Sequence, residues 1–218
     1  YSINLDILKL IILEYIIMLI DESNEEQMNK YKLRRSNNIY LFSNVFSEDM
    51  CNKLVEHTNK NVKDRLVVGE GQNVQGYEGG IFLHDPFFKS ISSKIIDIGK
   101  FLACKYDITF GSFGVYNHEG ISIRKIDGPT KLHKDGPVYD MAYGNMMVSI
   151  DKVRSLSIII ALNGDYDGGE IVFPCQNFKT KLKQGEAIAF PPYWTHPHYT
   201  EDLKNNTFRY TINTWLMI

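Results

Sequence analysis

The stretch SLSIIIALNGDYDGGEIVFP, residues 155–174, joins two apolar runs through a segment rich in glycine, asparagine and aspartate. Its first run, SLSIIIALN, and its last, EIVFP, have the β-branched and aromatic content typical of strands. The residues between them, NGDYDGGE, tolerate positive φ, so we predict that they form a hairpin connection between two paired strands.

Short runs of the same kind continue on both sides of this stretch, from residue 111 to the end of the chain. They include ISIRKI (121–126), GEAIAF (185–190) and FRYTINTWL (208–216), separated by glycine, proline and asparagine. Many short strands with such breaks predict a β-sandwich or barrel.

Two helices are predicted upstream of these strands. Ser47 is a natural N-cap for a helix that reaches about Asn59, and Asp85-Pro86 begins a second helix. The apolar face of the second helix consists of Phe88, Ile91, Ile95, Phe101 and Leu102. The segment GEGQNVQGYEGG (69–80) between the helices is interpreted as a loop, either at the mouth of a site or on the plain surface. The class is therefore mainly β with flanking helices (α+β).

The chain begins with an apolar run, residues 3–20, which Asp6, Lys9 and Glu14 interrupt. Charges inside a membrane are costly, so a packed helix is favoured over a membrane span. We expect an N-terminal helix and polar linker, residues 1–43, packed on a single domain of residues 44–218.

Composition excludes several classes of partner. With 24 basic and 26 acidic residues the net charge is −2, which gives no bulk attraction to nucleic acid or to a membrane surface. The three cysteines form no C-x-x-C pair, and no signal-peptide pattern is present. We therefore expect a cytoplasmic protein; the oligomeric state is left open.

The segment KLHKDGP (131–137) holds the first candidate metal ligands. In a strand His133 and Asp135 project from the same face, although H-x-D alone is a common dipeptide pattern. A third ligand is available in YWTHPHYT (193–200), where either His196 or His198 could serve. Two imidazoles and one carboxylate form the facial triad that holds non-heme Fe(II) with open coordination positions.

Arg209 and Thr211 lie on one face of the strand that follows. A guanidinium there could bind a carboxylate through two hydrogen bonds, with help from the threonine hydroxyl. The other histidines, His57, His84 and His118, are interpreted as surface residues, and no motif supports nucleophilic hydrolysis.

The chain resembles the 2-oxoglutarate and Fe(II)-dependent oxygenases, and among them the prolyl 4-hydroxylase-like group. The matching pieces follow the family order between residues 44 and 216: NVFSEDMCNKLVE, LHKDG, SIIIALNGDYDGGEIVFP, KQGEAIAFPP, THPHYT and FRYTINTWL. The resemblance implies a double-stranded β-helix, or jelly roll, with helices packed outside its major sheet.

The same resemblance implies the roles of the site residues. His133, Asp135 and His198, rather than His196, match the iron ligands, and Arg209, with Thr211 beside it, matches the residue that binds the 5-carboxylate of 2-oxoglutarate. The cofactors implied are Fe(II), 2-oxoglutarate and O2, with ascorbate as reductant. The chain departs from the pattern at Ile126, where these enzymes often have a tyrosine that contacts the cosubstrate.

The resemblance also implies the reaction. It predicts hydroxylation of an unactivated C–H bond with release of succinate and CO2, and the retained Asp135 disfavours halogenation. The expected substrate is a prolyl residue in a peptide or protein, with Tyr139, Tyr143 and Trp194 as candidates for lining its groove. The alternatives are a free amino acid or other small molecule as substrate, or a jelly-roll binding module without catalysis.

Overall fold

The computed structural model describes residues 33–62, 65–68, 74–106, 117–136 and 154–217. In these ranges the helices are α1 (Glu48–Asn61) and α2 (Pro86–Tyr106). The strands are β1 (Leu33–Ser36), β2 (Ile39–Phe42), β3 (Arg65–Val68), β4 (Val74–Gly80), β5 (Asn117–His118), β6 (Ser122–His133), β7 (Arg154–Ala161), β8 (Asp167–Gly168), β9 (Ile171–Phe173), β10 (Phe178–Thr180), β11 (Ala187–Phe190), β12 (His198–Thr200), β13 (Leu203–Lys204) and β14 (Arg209–Met217).

The strands form an antiparallel sheet that bends into a jelly roll. Its hydrogen-bonded order is β1-β2-β11-β7-β14-β6-β12-β9-β10, with β4 also pairing with β6 and β3 with β4. The long strand β6 belongs to both halves, since its first residues pair with β14 and its last with β12. The predicted mainly β architecture with flanking helices is confirmed.

Side-chain alternation along the central strands separates two apolar clusters. Ile158, Ile160 and Ile212 face the helices, where they pack with buried residues of both. The cluster inside the roll contains Ile171, Phe173, Leu182, Ile188 and Phe190. Because successive residues of a strand face opposite sides, one face of these strands packs against the helices and the other lines the interior of the roll.

Both predicted helices are present. The Ser47 hydroxyl accepts a hydrogen bond from the Met50 backbone N–H at 3.3 Å, so it caps α1 as predicted. The α2 helix begins at Pro86, and it buries its apolar face, including Ile91, Ile95 and Leu102, against the sheet.

The predicted hairpin at NGDYDGGE is wrong. Strand β7 pairs with β11 and β14, whereas β9 pairs with β10 and β12, so the two strands do not pair with each other. The segment instead crosses from one half of the roll to the other, and β8 within it pairs with β13. Its glycines do adopt positive φ, +70° at Gly168 and +69° at Gly169, because a crossing chain needs sharp turns as much as a hairpin does.

The interpretation of residues 69–80 as a loop is also wrong for residues 74–80, which form β4. A Cβ atom on Gly76 would lie 2.4 Å from the Lys125 carbonyl oxygen of β6, so the strand approaches its neighbour too closely for any side chain there. Glycine in this segment allows close strand contact rather than loop freedom.

The sheet begins before residue 44. Strands β1 and β2 pair with each other, and β2 pairs with β11, so residues 33–42 are part of the sheet itself. The predicted N-terminal helix lies outside the described residues. In the part of the chain that is described, neither helix is long and apolar enough to cross a membrane.

Candidate active site

His133 and His198 lie directly opposite each other on β6 and β12. Their ring centroids are 4.4 Å apart. Asp135, two residues beyond the end of β6, places its Oδ1 atom 3.3 Å from Nε2 of His133 and 4.0 Å from Nε2 of His198. The potential ligand atoms of the three residues all lie within 4.8 Å of one another. The structure therefore brings together two imidazoles and one carboxylate around a common point.

Backbone carbonyls set the orientation of both imidazoles. Nδ1 of His133 is 2.8 Å from the Lys131 oxygen, and Nδ1 of His198 is 3.2 Å from the His196 oxygen. A carbonyl only accepts, so each Nδ1 carries a proton, and each ring turns Nε2 toward Asp135, where it can bind a metal once it carries no proton. This is the arrangement in which an imidazole can bind a metal.

The carboxylate of Asp135 is held at one oxygen. Its Oδ2 accepts a hydrogen bond of 2.6 Å from the Ser157 hydroxyl on β7, and its main-chain oxygen accepts one of 2.6 Å from Nη1 of Arg154. The other oxygen, Oδ1, is the one that faces the two imidazoles.

Burial separates the protonation behaviour of the three groups. Burial lowers the pKa of His198 to about 4, so this ring is neutral at neutral pH. Burial is also the largest single effect on His133 and acts to lower its pKa, but the hydrogen bond to Asp135, the charge of Asp135 and the hydrogen bond to Lys131 together raise it. For Asp135 burial alone would raise the pKa, yet hydrogen bonds from His133 and Ser157 and the positive field of the imidazoles hold it below its ordinary value.

Aromatic rings enclose His198 from two sides. The Phe173 ring stacks on it with centroids 5.3 Å apart, and the Phe190 ring meets it nearly edge-on at 4.7 Å. Both phenylalanines are buried in the interior cluster, so they fix the imidazole and keep water away from its far face.

His196 lies near this group but is occupied elsewhere. Its Nε2 donates to the Asn37 carbonyl oxygen at 3.0 Å, and its Nδ1 accepts from the Thr195 hydroxyl at 2.9 Å. Both ring nitrogens thus bind the local chain, which leaves neither free for a metal. The group of potential ligands found among the described residues contains His198 and not His196.

Arg209 enters the same cavity from β14. The cavity inside the roll, called the barrel cavity below, is lined by residues that include His133, Asp135, His198, Arg124, Arg209 and Thr211. Arg209 is only 5% exposed, and its Nη1 donates to the Gly169 carbonyl oxygen at 2.7 Å. Its Nε is buried without a hydrogen-bond partner, and no carboxylate of the described residues lies within ion-pair distance.

A buried guanidinium without a counter-ion is costly, and burial lowers the pKa of Arg209 for the same reason. Thr211, two residues further along β14, also lines the cavity, and its hydroxyl donates to Oδ1 of Asn213 at 2.7 Å. This end of the barrel cavity therefore suits an anionic group.

The remaining predicted site residues are not part of this group. Trp194 is 76% exposed on the segment before β12 and does not line the barrel cavity. Tyr139 and Tyr143 lie outside the described residues. His118, interpreted from the sequence as a surface residue, is buried beneath α2 with its Nε2 2.8 Å from the Ser92 hydroxyl, so that interpretation is wrong.

Sequence reasoning missed Ser157 as a residue of the site, and it considered Arg124, like Lys125, only as a substitute for Arg209 in binding the cosubstrate. Ser157 positions Asp135, and nothing in its local sequence indicates that contact. Arg124 lines the barrel cavity two residues before Ile126, which itself lies opposite Arg209 across the strand pair. The signal for Arg124 was the alternation of β6, which places residues 124 and 126 on the same face.

No protein-family model matches the sequence, and no curated protein sequence matches it either. Solved structures do match. The viral collagen prolyl hydroxylase of Paramecium bursaria Chlorella virus-1, in its 2OG complex, has 20% identity and a TM-score of 0.62, over 84% of this chain and 97% of that one.

Two further prolyl hydroxylases have the same fold. The prolyl-4-hydroxylase of Pseudomonas putida has 10% identity and a TM-score of 0.62, over 92% of this chain and 97% of that one. The prolyl hydroxylase of Trichoplax adhaerens, in complex with a peptide fragment of the oxygen degradation domain of hypoxia inducible factor, has 14% identity and a TM-score of 0.60, over 94% of this chain and 91% of that one. The protein therefore has the fold of the prolyl 4-hydroxylase-like 2-oxoglutarate oxygenases.

Proposed function

We propose that the protein is an Fe(II)- and 2-oxoglutarate-dependent dioxygenase that hydroxylates a prolyl residue in a peptide or protein. The observation that carries this proposal is the pairing, in one cavity, of the His133–Asp135–His198 group with the buried Arg209, which has no carboxylate partner among the described residues. A structural metal site alone would not require that arginine.

The donor set fits iron of this kind. Two imidazole nitrogens and one carboxylate oxygen occupy one face of an octahedral Fe(II) and leave positions open, whereas a closed zinc site has a fourth protein ligand. When bound, the iron would couple the decarboxylation of 2-oxoglutarate, with release of succinate and CO2, to hydroxylation of a C–H bond by O2. The chain itself fixes both rings through their Nδ1 protons and Asp135 through Ser157.

Arg209 would bind the 5-carboxylate of 2-oxoglutarate. Its planar guanidinium can donate two parallel hydrogen bonds to a carboxylate, and the unpartnered Nε is one available donor. Thr211 lies on the same face of the strand and could add a hydrogen bond after rotation of its hydroxyl. Ascorbate would serve as the reductant that keeps the iron ferrous.

The proposed substrate class rests on the structural neighbours, of which one is named a collagen prolyl hydroxylase and another holds a peptide fragment. The exposed indole of Trp194 is the candidate for a peptide contact outside the barrel cavity, with Tyr139 and Tyr143 as further candidates from the sequence. A free amino acid or other small molecule is the alternative substrate, and a jelly-roll module that only binds its ligand is the alternative function.

The first test is succinate formation from 2-oxoglutarate by protein supplied with Fe(II) and ascorbate, with and without proline-rich peptides. We expect slow turnover without peptide and faster turnover with a suitable one. His198→Ala should abolish iron binding and turnover, while the matched control His196→Ala should retain both. A protein that binds neither Fe(II) nor 2-oxoglutarate would overturn the proposal.

The second test concerns the cosubstrate. Arg209→Ala should raise the apparent KM for 2-oxoglutarate, since the loss of a buried charge-assisted contact costs about 2–5 kcal/mol, and Arg209→Lys should recover only part of it. Iron affinity should change little, because Arg209 is not a candidate ligand. An unchanged KM in Arg209→Ala would show that another residue binds the 5-carboxylate.

A further inference from the structure

The barrel cavity contains a second arginine beside the candidate metal ligands. Arg124 lies on β6 directly opposite Thr211 of β14, and both side chains line the cavity. This pair is two residues along the strands from Arg209, which lies opposite Ile126, and is therefore on the same face of the sheet. The cavity therefore presents two guanidinium groups on one continuous face of two neighbouring strands.

Arg124 has few partners of its own. Its Nε donates to the Ser122 hydroxyl at 3.2 Å, and among the described residues its two terminal amino groups have no hydrogen bond and no carboxylate within ion-pair distance. The two acids whose charges act on Arg124, Glu78 and Asp135, are engaged elsewhere. Glu78, opposite Arg124 on β4, accepts from Ser122, and Asp135 is bound by Ser157 and His133.

Arg124 lines the barrel cavity together with residues of both of its ends. Burial is the main cause that lowers the pKa of Arg209, and the charge of Arg124 adds to it. At the other end, Arg124 lines the same cavity as His133 and Asp135. Arg124 therefore shares one cavity with the anion end, at Arg209, and with the metal end, at His133 and Asp135.

We propose that Arg124 binds the carboxylate of 2-oxoglutarate that is adjacent to the keto group, while Arg209 binds the distant carboxylate. This inference rests on the proposed function and names the residue that recognises the second charge of the cosubstrate. A dicarboxylate satisfies both guanidinium groups at once, whereas a ligand with one carboxylate leaves a buried or half-buried cation unpaired. Arg124 thereby makes the cavity selective for dicarboxylates.

Ligands that lack one carboxylate separate the two arginines. In 4-oxopentanoate a methyl group replaces the carboxylate next to the keto carbon, and in 2-oxopentanoate a methyl group replaces the distant one. The measurement is calorimetric titration of each ligand, and of 2-oxoglutarate, into the Mn(II)-loaded protein, which binds without turnover.

Arg124→Met should weaken 2-oxoglutarate and 2-oxopentanoate by about 10- to 100-fold, as expected for a hydrogen-bonded charge pair, and leave 4-oxopentanoate unchanged. Arg209→Met should weaken 2-oxoglutarate and 4-oxopentanoate and leave 2-oxopentanoate unchanged. Arg124→Lys should lose less affinity for 2-oxoglutarate than Arg124→Met. The matched control is Lys125→Met, which removes the same charge from the other face of β6, beside Phe208 and Tyr210, and should change none of the three affinities.

The outcomes distinguish this inference from the proposed function. If the Mn(II)-loaded wild type binds no 2-oxoglutarate, the proposed function fails and this inference fails with it. If the wild type binds 2-oxoglutarate but Arg124→Met leaves its affinity unchanged, or weakens all three ligands equally, only the role of Arg124 is refuted.

Discussion

Replacement of Ser157 by alanine should weaken metal binding although Ser157 cannot itself be a ligand of the site. Ser157 is only 1% exposed, and its hydroxyl donates to Oδ2 of Asp135 at 2.6 Å. Without this hydrogen bond the carboxylate can rotate, and its Oδ1 atom is no longer held toward the two imidazoles. Loss of such a supporting contact lowers metal affinity about 10- to 100-fold, or about 1.4–2.7 kcal/mol.

The matched control for this prediction is Ser155→Ala. Ser155 lies on the same face of the same strand, is also buried, and donates to the main-chain oxygen of Leu216 at 3.0 Å rather than to Asp135. Loss of this hydrogen bond in Ser155→Ala should reduce the free energy of unfolding by about 1 kcal/mol and leave metal affinity unchanged.

The assay is an anaerobic titration with Mn(II) and with Fe(II), with thermal unfolding of the metal-free proteins measured in parallel. The parallel measurement separates a change in metal affinity from a change in the stability of the fold. The argument that Ser157 orients the carboxylate would be refuted if Ser157→Ala and Ser155→Ala bound metal with equal affinity. It would also be refuted if the loss of metal affinity in Ser157→Ala were no larger than its loss of fold stability explains.

Three further predictions follow from particular contacts. Metal affinity should fall about tenfold per pH unit below the pKa of His133, because the metal must displace the proton that this ring holds. Burial acts to lower that pKa, but the hydrogen bond and charge of Asp135 and the hydrogen bond to Lys131 together raise it, and His198, with a pKa of about 4, adds no second proton. Mn(II) titrations between about pH 8 and about pH 5.5 test this, and an affinity independent of pH would contradict it. Gly76→Ala should destabilise the fold by about 1–3 kcal/mol, since its Cβ would meet the Lys125 oxygen at 2.4 Å, whereas Gly80→Ala on the same strand meets no atom within 4 Å and should be harmless in denaturant unfolding. Equal losses in the two variants would show that the close approach is not the cause. Iodoacetamide should label the exposed Cys175 long before Cys51, whose burial raises its thiol pKa to about 11, and peptide mass spectrometry that finds comparable labelling at both would contradict the packing of α1.

The candidate site was predictable to the extent that it depends on alternation within single strands. His133 with Asp135, and Arg209 with Thr211, are pairs two residues apart, and the pleat of a strand places such pairs on one face whatever the rest of the fold does. The helix capped by Ser47 and the helix that begins at Pro86 were predictable for the same reason, since the cap and the first turn that mark a helix start are adjacent in sequence.

Contacts between distant segments could not be obtained from these patterns. The residues of NGDYDGGE favour positive φ in a hairpin and in a crossing alike, so only the pairing of β7 with β14 and β11 decides between them. The glycines of residues 74–80 have the composition of a loop, but they allow β4 to lie against β6, a constraint set by the Lys125 backbone.

The sequence by itself therefore determined the β-rich character of the chain beyond residue 111, the facing pairs within single strands and the chemical types of the candidate ligands. Tertiary structure decided that His198 rather than His196 lies opposite His133, because the ring nitrogens of His196 bind Thr195 and Asn37. It also brought Ser157 to Asp135 and placed Arg124 in the cavity with Arg209. The physical reason is that the free energy of each such contact depends on strand register and burial, which are properties of the assembled sheet and not of any single segment.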